Sequence, residues 1–226
     1  MISHRHKCIF IHIPKCGGTS IEAALGHLDG HVGRGGQDHR TLRMIEKPRL
    51  RPKVFLSRKN TIEVLKGIRY QMRAHSNPQK KLTVTRQQYI SYFKFTMVRN
   101  PWARAYSWYK NVMRDEHHLK ELNISGPISL SEFLRINIGK GMLRKQTEWL
   151  KNFSGALGMD YIGKFENLQH DFEMACASMK IEPVQLPHKI KGSNKNYLDE
   201  FDRISRRLIA EYYREEIEYF GYSYES

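Results

Sequence analysis

The chain of 226 residues contains few cysteines and no long run of apolar residues. Three cysteines (Cys8, Cys16 and Cys176) cannot all pair, and no C-x-x-C sequence is present, which predicts reduced thiols without a metal site. No apolar stretch approaches the roughly 20 residues of a membrane span. The short apolar segment 8–13 leads into a glycine turn rather than a cleavage site, which argues against a signal peptide. We therefore expect a cytoplasmic protein.

Acidic residues are also scarce. The chain has 23 Asp and Glu against 38 Lys and Arg, so its net charge is +15. A surface of this charge attracts anions, either anionic substrates or an anionic polymer such as nucleic acid. No RNA-binding, zinc-finger or helix-turn-helix sequence supports nucleic acid. The length fits one α/β domain over residues 1–226.

The first informative pattern joins the apolar segment 8–13 to residues 14–20, which read PKCGGTS. It is typical of a buried strand, an anion-binding loop and the start of a helix. Gly17 and Gly18 allow backbone N–H groups to approach an anion closely. Lys15 adds a mobile positive charge.

The helix after this loop is predicted to open at Thr19, with Thr19 and Glu22 as a capping box. The loop is not a Walker A sequence, because Lys15 precedes both glycines instead of following the last one. This order disfavours an ATPase or kinase of the usual type.

A second pattern follows a strand predicted over residues 92–98. Arg99 ends the strand, Asn100 is placed to cap a helix, and Pro101 suits its first turn. Helical spacing predicts that one face of this helix packs inward, with Trp102, Ala105, Tyr106, Tyr109 and Val112. Another face carries Arg104, Ser107 and Asn111. Arg99 with Ser107 would form a second anion site.

Two anion sites at two strand ends predict a ligand with two separate phosphate groups. Residues 14–20 resemble the 5′-phosphosulfate loop of sulfotransferases, and residues 99–107 resemble their 3′-phosphate motif, R-N-P-x-x-R-x-x-S. The sequence is most similar to the Golgi carbohydrate sulfotransferase group and its bacterial relatives. Residues 165–168 and 217–222 also resemble later segments of that group.

The resemblance implies a P-loop-NTPase-like, three-layer α/β fold with a central parallel sheet flanked by helices. It implies 3′-phosphoadenosine 5′-phosphosulfate (PAPS) as donor, adenosine 3′,5′-bisphosphate as product, and no metal. The acceptor would be a hydroxyl of a carbohydrate or glycoconjugate; lipid, polyketide and small phenolic acceptors stay open. The implied donor contacts are Lys15, Cys16, Gly17, Gly18, Thr19, Ser20, Arg99 and Ser107, with Lys191 and Ser193 from a late basic loop over 189–197.

Sulfuryl transfer is an in-line displacement that depends on positioning and charge neutralisation, by analogy with phosphoryl transfer. Lys15 is the candidate for stabilising the leaving oxygen. His39 is the candidate base, because His39-Arg40-Thr41 resembles an H-x-T segment of bacterial relatives. His31 is the alternative base, and His12 is expected to be structural.

The interval between His39 and Arg99 is longer than in compact bacterial relatives. The extra material, a basic insertion at about 48–88, is expected to bind the acceptor or to contact another subunit. Two other functions remain open from the sequence. One is phosphoryl transfer from ATP with Mg²⁺, and the other is non-catalytic binding of anionic polymers.

The remaining pattern predicts a glycine-rich loop over 30–36 near the ligand and irregular chain over 48–60. Helices are predicted over 41–46, 61–75, 85–92, 130–138, 168–179 and 201–220, with a strand over 161–165.

Overall fold

The computed structural model describes residues 1–46, 57–187 and 197–226. The chain divides into two compact units, which are described separately below. Unit 1 comprises Met1–Val98 and Gln146–Lys189, and unit 2 comprises Arg99–Lys145 and Ile190–Ser226. The single domain expected over residues 1–226 stays a prediction.

The strands lie in unit 1 and form one four-stranded sheet in the order β1-β2-β3-β4. They are β1 (Ile2–Ser3), β2 (Cys8–Ile11), β3 (Phe93–Val98) and β4 (Tyr161–Lys164). Strand β1 runs antiparallel to β2, whereas β2, β3 and β4 are mutually parallel neighbours. This mostly parallel sheet confirms the α/β class.

Helices lie between the strands in the sequence and after the last strand. In chain order the α-helices are α1 (Gly18–Ala24), α2 (Leu42–Ile45), α3 (Arg58–Met72), α4 (Arg86–Ser91), α5 (Pro101–Met113), α6 (Glu116–Glu121), α7 (Leu130–Asn137), α8 (Gln146–Leu150), α9 (Leu168–Met179), α10 (Arg203–Tyr212) and α11 (Arg214–Phe220). Short 3₁₀ turns occur at Pro78–Lys81, Gly141–Leu143, Phe165–Asn167 and Tyr197–Glu200. No helix in the described ranges is long and apolar enough to cross a bilayer.

The core of unit 1 explains the parallel strands. Every residue of β2 is buried, as are the last four of β3, because continuous apolar runs suit strands covered on both faces. Helix α9 packs against β3 and β4 and buries Phe172, Ala175 and Cys176. The carboxyl ends of the three parallel strands therefore share one edge of the sheet, where ligands bind in open α/β folds.

Most predicted elements are confirmed to within a few residues. The predicted helix over 201–220 is instead two helices, α10 and α11, separated at Tyr213. The ring of Tyr213 is fully buried and its hydroxyl donates to the carbonyl of Leu143. Gly221 ends α11 in the left-handed conformation, which glycine adopts without a steric penalty.

The prediction of irregular chain over residues 48–60 was wrong for its last residues, which are helical. Residues 47–56 lie outside the described residues, but α3 begins at Arg58, capped by the Ser57 hydroxyl, which accepts from the Asn60 amide. Two short helices, α6 and α8, were missed because each spans too few residues to show a clear period.

Unit 2 is helical and has its own apolar core. That core is built from α5, α7, α10 and the turn before α8, and its buried members are Trp102, Ala105, Tyr106, Trp108, Val112, Leu130, Phe133, Leu134, Leu143, Ile209 and Tyr213. The inward face predicted for α5 is confirmed, with Tyr109 only partly buried.

Arg104, which helical spacing places on the same face of α5 as Ser107, makes buried contacts to the backbone. Its side chain is only 1% exposed, and its guanidinium donates to the backbone carbonyls of Met142 and Arg144. The Arg144 oxygen lies 3.1 Å from one guanidinium nitrogen. Arg104 therefore connects α5 to the 3₁₀ turn Gly141–Leu143. The second arginine of the R-N-P-x-x-R-x-x-S motif thus has a structural role here.

We expect Arg104→Met to lower the free energy of unfolding by about 2–4 kcal/mol, because two partly buried carbonyls would lose a charged donor. Urea denaturation of the variant would measure this difference. Arg135→Met, at an exposed position of α7, is the control and should change stability by less than about 0.5 kcal/mol. Equal stability of the Arg104 variant and the control would contradict the structural role.

Candidate functional site

The loop predicted to bind an anion lies beyond the carboxyl end of β2. Residues 12–17 connect the strand to α1, which begins at Gly18. Lys15 and Gly17 both have left-handed backbone conformations, with φ of 69° and 77°. A positive φ is uncommon for lysine, so the turn is strongly specified. Left-handed residues in such turns bring neighbouring amides together into an anion-binding concavity.

Neither glycine of the loop can carry a side chain. A Cβ at Gly17 would lie 2.7 Å from Leu168 Cδ2, and one at Gly18 would lie 2.1 Å from His12 Cδ2. Both distances are below any real Cβ contact. The loop therefore packs tightly against α9 on one side and His12 on the other.

The predicted capping box is wrong. Helix α1 is capped by Gly17, with no side-chain hydrogen bond at its N-terminus. Glu22 is fully buried instead, with Oε1 3.2 Å from His12 Nδ1, and it accepts from the Asp38 amide at 3.1 Å. Burial raises the pKa of Glu22, but His12, the Met1 amino group and His27 lower it further, so the net shift is downward. The first amides of α1 are thus left uncapped by side chains.

Two other side chains of residues 14–20 form hydrogen bonds to residues that are distant in the sequence. Cys16 is buried, and its thiol donates to Oε1 of Gln146 at 3.4 Å. The Ser20 hydroxyl donates to the Pro187 carbonyl at 2.7 Å. Thr19 is half-buried at the start of α1. Cys16 is therefore a small residue that fits the buried side of the turn.

His39 lies beside His12, with 4.2 Å between their ring centroids. Its Nδ1 is 3.2 Å from the His12 carbonyl oxygen. Because a carbonyl can only accept, Nδ1 carries the proton and Nε2 keeps its lone pair. Burial, reinforced by His12, lowers the pKa of His39 to about 3. The ring is therefore neutral at pH 7 and can accept a proton at Nε2.

A buried ion pair fixes the backbone on both sides of His39, and the sequence did not reveal it. Asp38 is fully buried and accepts from Arg40 at 2.6 Å and from the Tyr70 hydroxyl at 3.2 Å. The Met1 amino group lies 3.7 Å from the same carboxylate. Burial raises the pKa of Asp38, but these cations together hold it well below its usual range. The one signal of this ion pair in the sequence is that Asp38 and Arg40 have opposite charges and lie two positions apart.

The alternative base, His31, belongs to the glycine-rich loop itself. It packs on Gly36, where a Cβ would lie 2.3 Å from its ring. Two side chains hold the loop through its carbonyls. Asn77 donates to Gly36 at 2.9 Å, and Lys80 donates to Gly35 at 2.8 Å.

The second predicted anion site belongs to unit 2. Arg99 follows the last residue of β3 directly, and Ser107 lies on α5 two turns further along; both side chains are half-buried. Asn100 caps α5 as predicted, because its Oδ1 accepts from the Trp102 amide at 3.0 Å. Lys191 and Ser193 lie outside the described residues.

Metal ligands were not expected, and the described residues contain no group of three or more His, Cys, Asp or Glu that could hold an ion.

Together these features define an α/β protein with a tightly packed glycine loop at the end of a parallel strand. The family model described as "Sulfotransferase family" matches residues 1–223. The chain therefore belongs to the sulfotransferase family and is a transferase of sulfuryl groups with a hydroxyl acceptor. No curated protein and no solved structure matches the chain significantly.

We expect Gly18→Ala to lower the free energy of unfolding by about 1–3 kcal/mol, because the new methyl group would overlap the buried His12 ring. Chemical denaturation would measure this loss.

Gly67→Ala is the matched control in α3. Its Cβ would lie 3.7 Å from Met44, an ordinary contact, and alanine favours a helix interior. The control should gain roughly 0.5–1 kcal/mol. A Gly18 variant as stable as the control would contradict the described packing.

Proposed function

We propose that this chain transfers the sulfuryl group of PAPS to a hydroxyl of a carbohydrate or glycoconjugate acceptor. The observation that carries the proposal is the loop of residues 14–18, in which Lys15 and Gly17 have left-handed backbones and Gly17 and Gly18 pack against Leu168 and His12. Such a backbone can turn successive amides toward an anion. The family membership supports a sulfuryl donor as the anion. The carbohydrate acceptor is supported by the sequence resemblance.

The donor is proposed to bind through two groups of residues. In unit 1 the amides of the loop, from Lys15 to Ser20, would hold the 5′-phosphosulfate, with Thr19 adding a hydroxyl. In the chain segment that follows β3, Arg99 and Ser107 would contact the 3′-phosphate through a guanidinium and a hydroxyl. Lys191 and Ser193 are proposed as further contacts.

His39 is proposed as the general base. Its Nε2 would take the proton of the acceptor hydroxyl as that oxygen forms a bond to sulfur. The bond between sulfur and the bridging oxygen breaks at the same time, and its electrons leave with adenosine 3′,5′-bisphosphate. The proton then passes from His39 to solvent. Anionic charge bound beside the ring would raise its pKa from the low value of the free protein and strengthen the base.

Lys15 is proposed to neutralise the charge that develops on the bridging oxygen. It lies in the loop itself, and its left-handed backbone fixes where the side chain leaves the main chain. Pre-positioned cations of this kind stabilise the transition state more than the ground state.

The setting of the enzyme is also part of the proposal. The thiols of Cys8, Cys16 and Cys176 are buried and are not joined in disulfide bonds, which supports the reducing cytoplasm as its location.

We expect His39→Ala to lower kcat by about 10²–10⁴-fold and Lys15→Ala by about 10²–10³-fold. Transfer from ³⁵S-labelled PAPS to a panel of carbohydrate acceptors would measure both rates. A His39 variant with wild-type kcat would exclude this residue as base, and loss of activity in His31→Ala would then identify the alternative.

Two control variants match these changes. Lys180 is an exposed lysine that also has a left-handed backbone, with φ of 57°, and His117 is an exposed histidine of α6. Lys180→Ala and His117→Ala should keep wild-type kcat.

A further inference from the structure

Helix α3 exposes large apolar side chains on a surface where polar ones are expected. Leu65 is 60% exposed, Ile68 53% and Met72 81%, and Ile62 is 40% exposed. At about 100° per residue, Leu65, Ile68 and Met72 fall within roughly 60° of one another on the helix. They form one continuous stripe, called here the α3 stripe.

The opposite side of α3 holds the helix on unit 1 through polar groups. Asn60 and Glu63 are buried there. Asn60 donates to the Phe153 carbonyl at 3.1 Å, and Glu63 accepts from the Thr41 hydroxyl at 2.5 Å. An ordinary surface helix buries its apolar face and exposes its polar face. In α3 the buried residues are polar, whereas the apolar side chains of the α3 stripe are exposed.

The side chains around the α3 stripe are cationic. Arg58, Lys59, Lys66 and Arg69 are exposed on α3, and the single acidic residue of the helix is the buried Glu63. Lys59 pairs with Glu148 at 3.1 Å and Lys66 with Glu63 at 2.8 Å.

Arg58 and Arg69 differ from these two lysines. Within the described ranges no carboxylate lies at ion-pair distance from either arginine. Their charges therefore remain available to an anionic partner.

A cavity of about 350 Å³ extends the apolar surface beside the stripe. Its wall includes Met44, Ile45, Val64 and Phe153, and Ile68 and Met72 also line it. Apolar groups of a partner could therefore reach beyond the tips of the exposed side chains.

We propose that the α3 stripe and its flanking cations dock the protein onto an anionic lipid bilayer. Such a surface offers both the negative charge and the apolar depth that this face complements. A nucleic acid would pair with the cations but would leave the stripe in water. A second copy of the chain would place the same cations opposite one another in a symmetric interface, which is repulsive. This docking is independent of which acceptor is sulfated.

Co-sedimentation of the full chain with phosphatidylcholine vesicles, with or without phosphatidylglycerol, tests the proposal. Binding is expected only when phosphatidylglycerol is present. The double variant Leu65→Glu with Met72→Glu should bind at least roughly tenfold more weakly, because both side chains would lose apolar burial. The control Ile90→Glu with Met174→Glu makes the same charge change at exposed apolar positions outside α3 and should lose far less.

The cationic contribution is tested in the same assay. Arg58→Gln with Arg69→Gln should weaken binding roughly thirty-fold, about fivefold for each cation near the membrane. The charge-matched control, Lys120→Gln with Arg135→Gln, removes two exposed cations elsewhere and should weaken binding much less.

A fluorescent label separates insertion from adsorption. Met72→Cys can be labelled selectively with a polarity-sensitive dye, because the three native cysteines are buried. Its emission should shift to the blue on phosphatidylglycerol vesicles, whereas the same dye at Ile90→Cys should not shift.

Two results would overturn the proposal. Equal losses in the α3 and control variants would show that the net charge of +15 adsorbs the protein without a defined face. A dimer in light scattering that dissociates in the Leu65→Glu and Met72→Glu variant, with no vesicle binding by wild type, would assign the stripe to self-association.

Discussion

The buried imidazole of His12, at the end of the first parallel strand, is the contact on which the site depends. Its ring occupies the space where a side chain at Gly18 would lie, and its Nδ1 faces Glu22 at 3.2 Å. Its carbonyl accepts from His39 and thereby sets the tautomer of the candidate base. One strand-end residue thus constrains the anion loop, the helix that follows it and the base. This arrangement explains why Gly18 tolerates no Cβ.

The parts of the site that were predictable are those encoded over a few adjacent residues. The apolar segment before the loop, the glycines at 17 and 18, and Asn100 with Pro101 each act within one turn of chain. Glu22 was misassigned because a capping box and a buried partner of His12 require the same residue type. Its actual contacts come from the end of β2 and from Asp38, which no local pattern connects to α1.

Longer-range packing decided the remaining differences. Helical spacing places Arg104 on the same face of α5 as Ser107, but it cannot show that the Arg104 guanidinium donates to a carbonyl 40 positions away in sequence. The break at Tyr213 follows from a buried hydroxyl bonded to Leu143, which the helical period of 201–220 cannot reveal. In α3, polar residues face inward because Thr41 and Phe153 supply their hydrogen-bonding partners, so periodicity alone would assign the wrong face to the core.

The most direct test of the proposed donor site is isothermal titration of the full chain with adenosine 3′,5′-bisphosphate, compared with AMP and with ATP plus Mg²⁺. The account predicts tight binding that requires the 3′-phosphate and weakens at least roughly tenfold in Arg99→Ala, since a charged hydrogen bond contributes about 1.5–3 kcal/mol. Equal affinity for AMP and the bisphosphate, or an Arg99 variant that binds like wild type, would contradict the two-phosphate site. If the chain bound ATP plus Mg²⁺ but not adenosine 3′,5′-bisphosphate, this result would contradict PAPS as the donor.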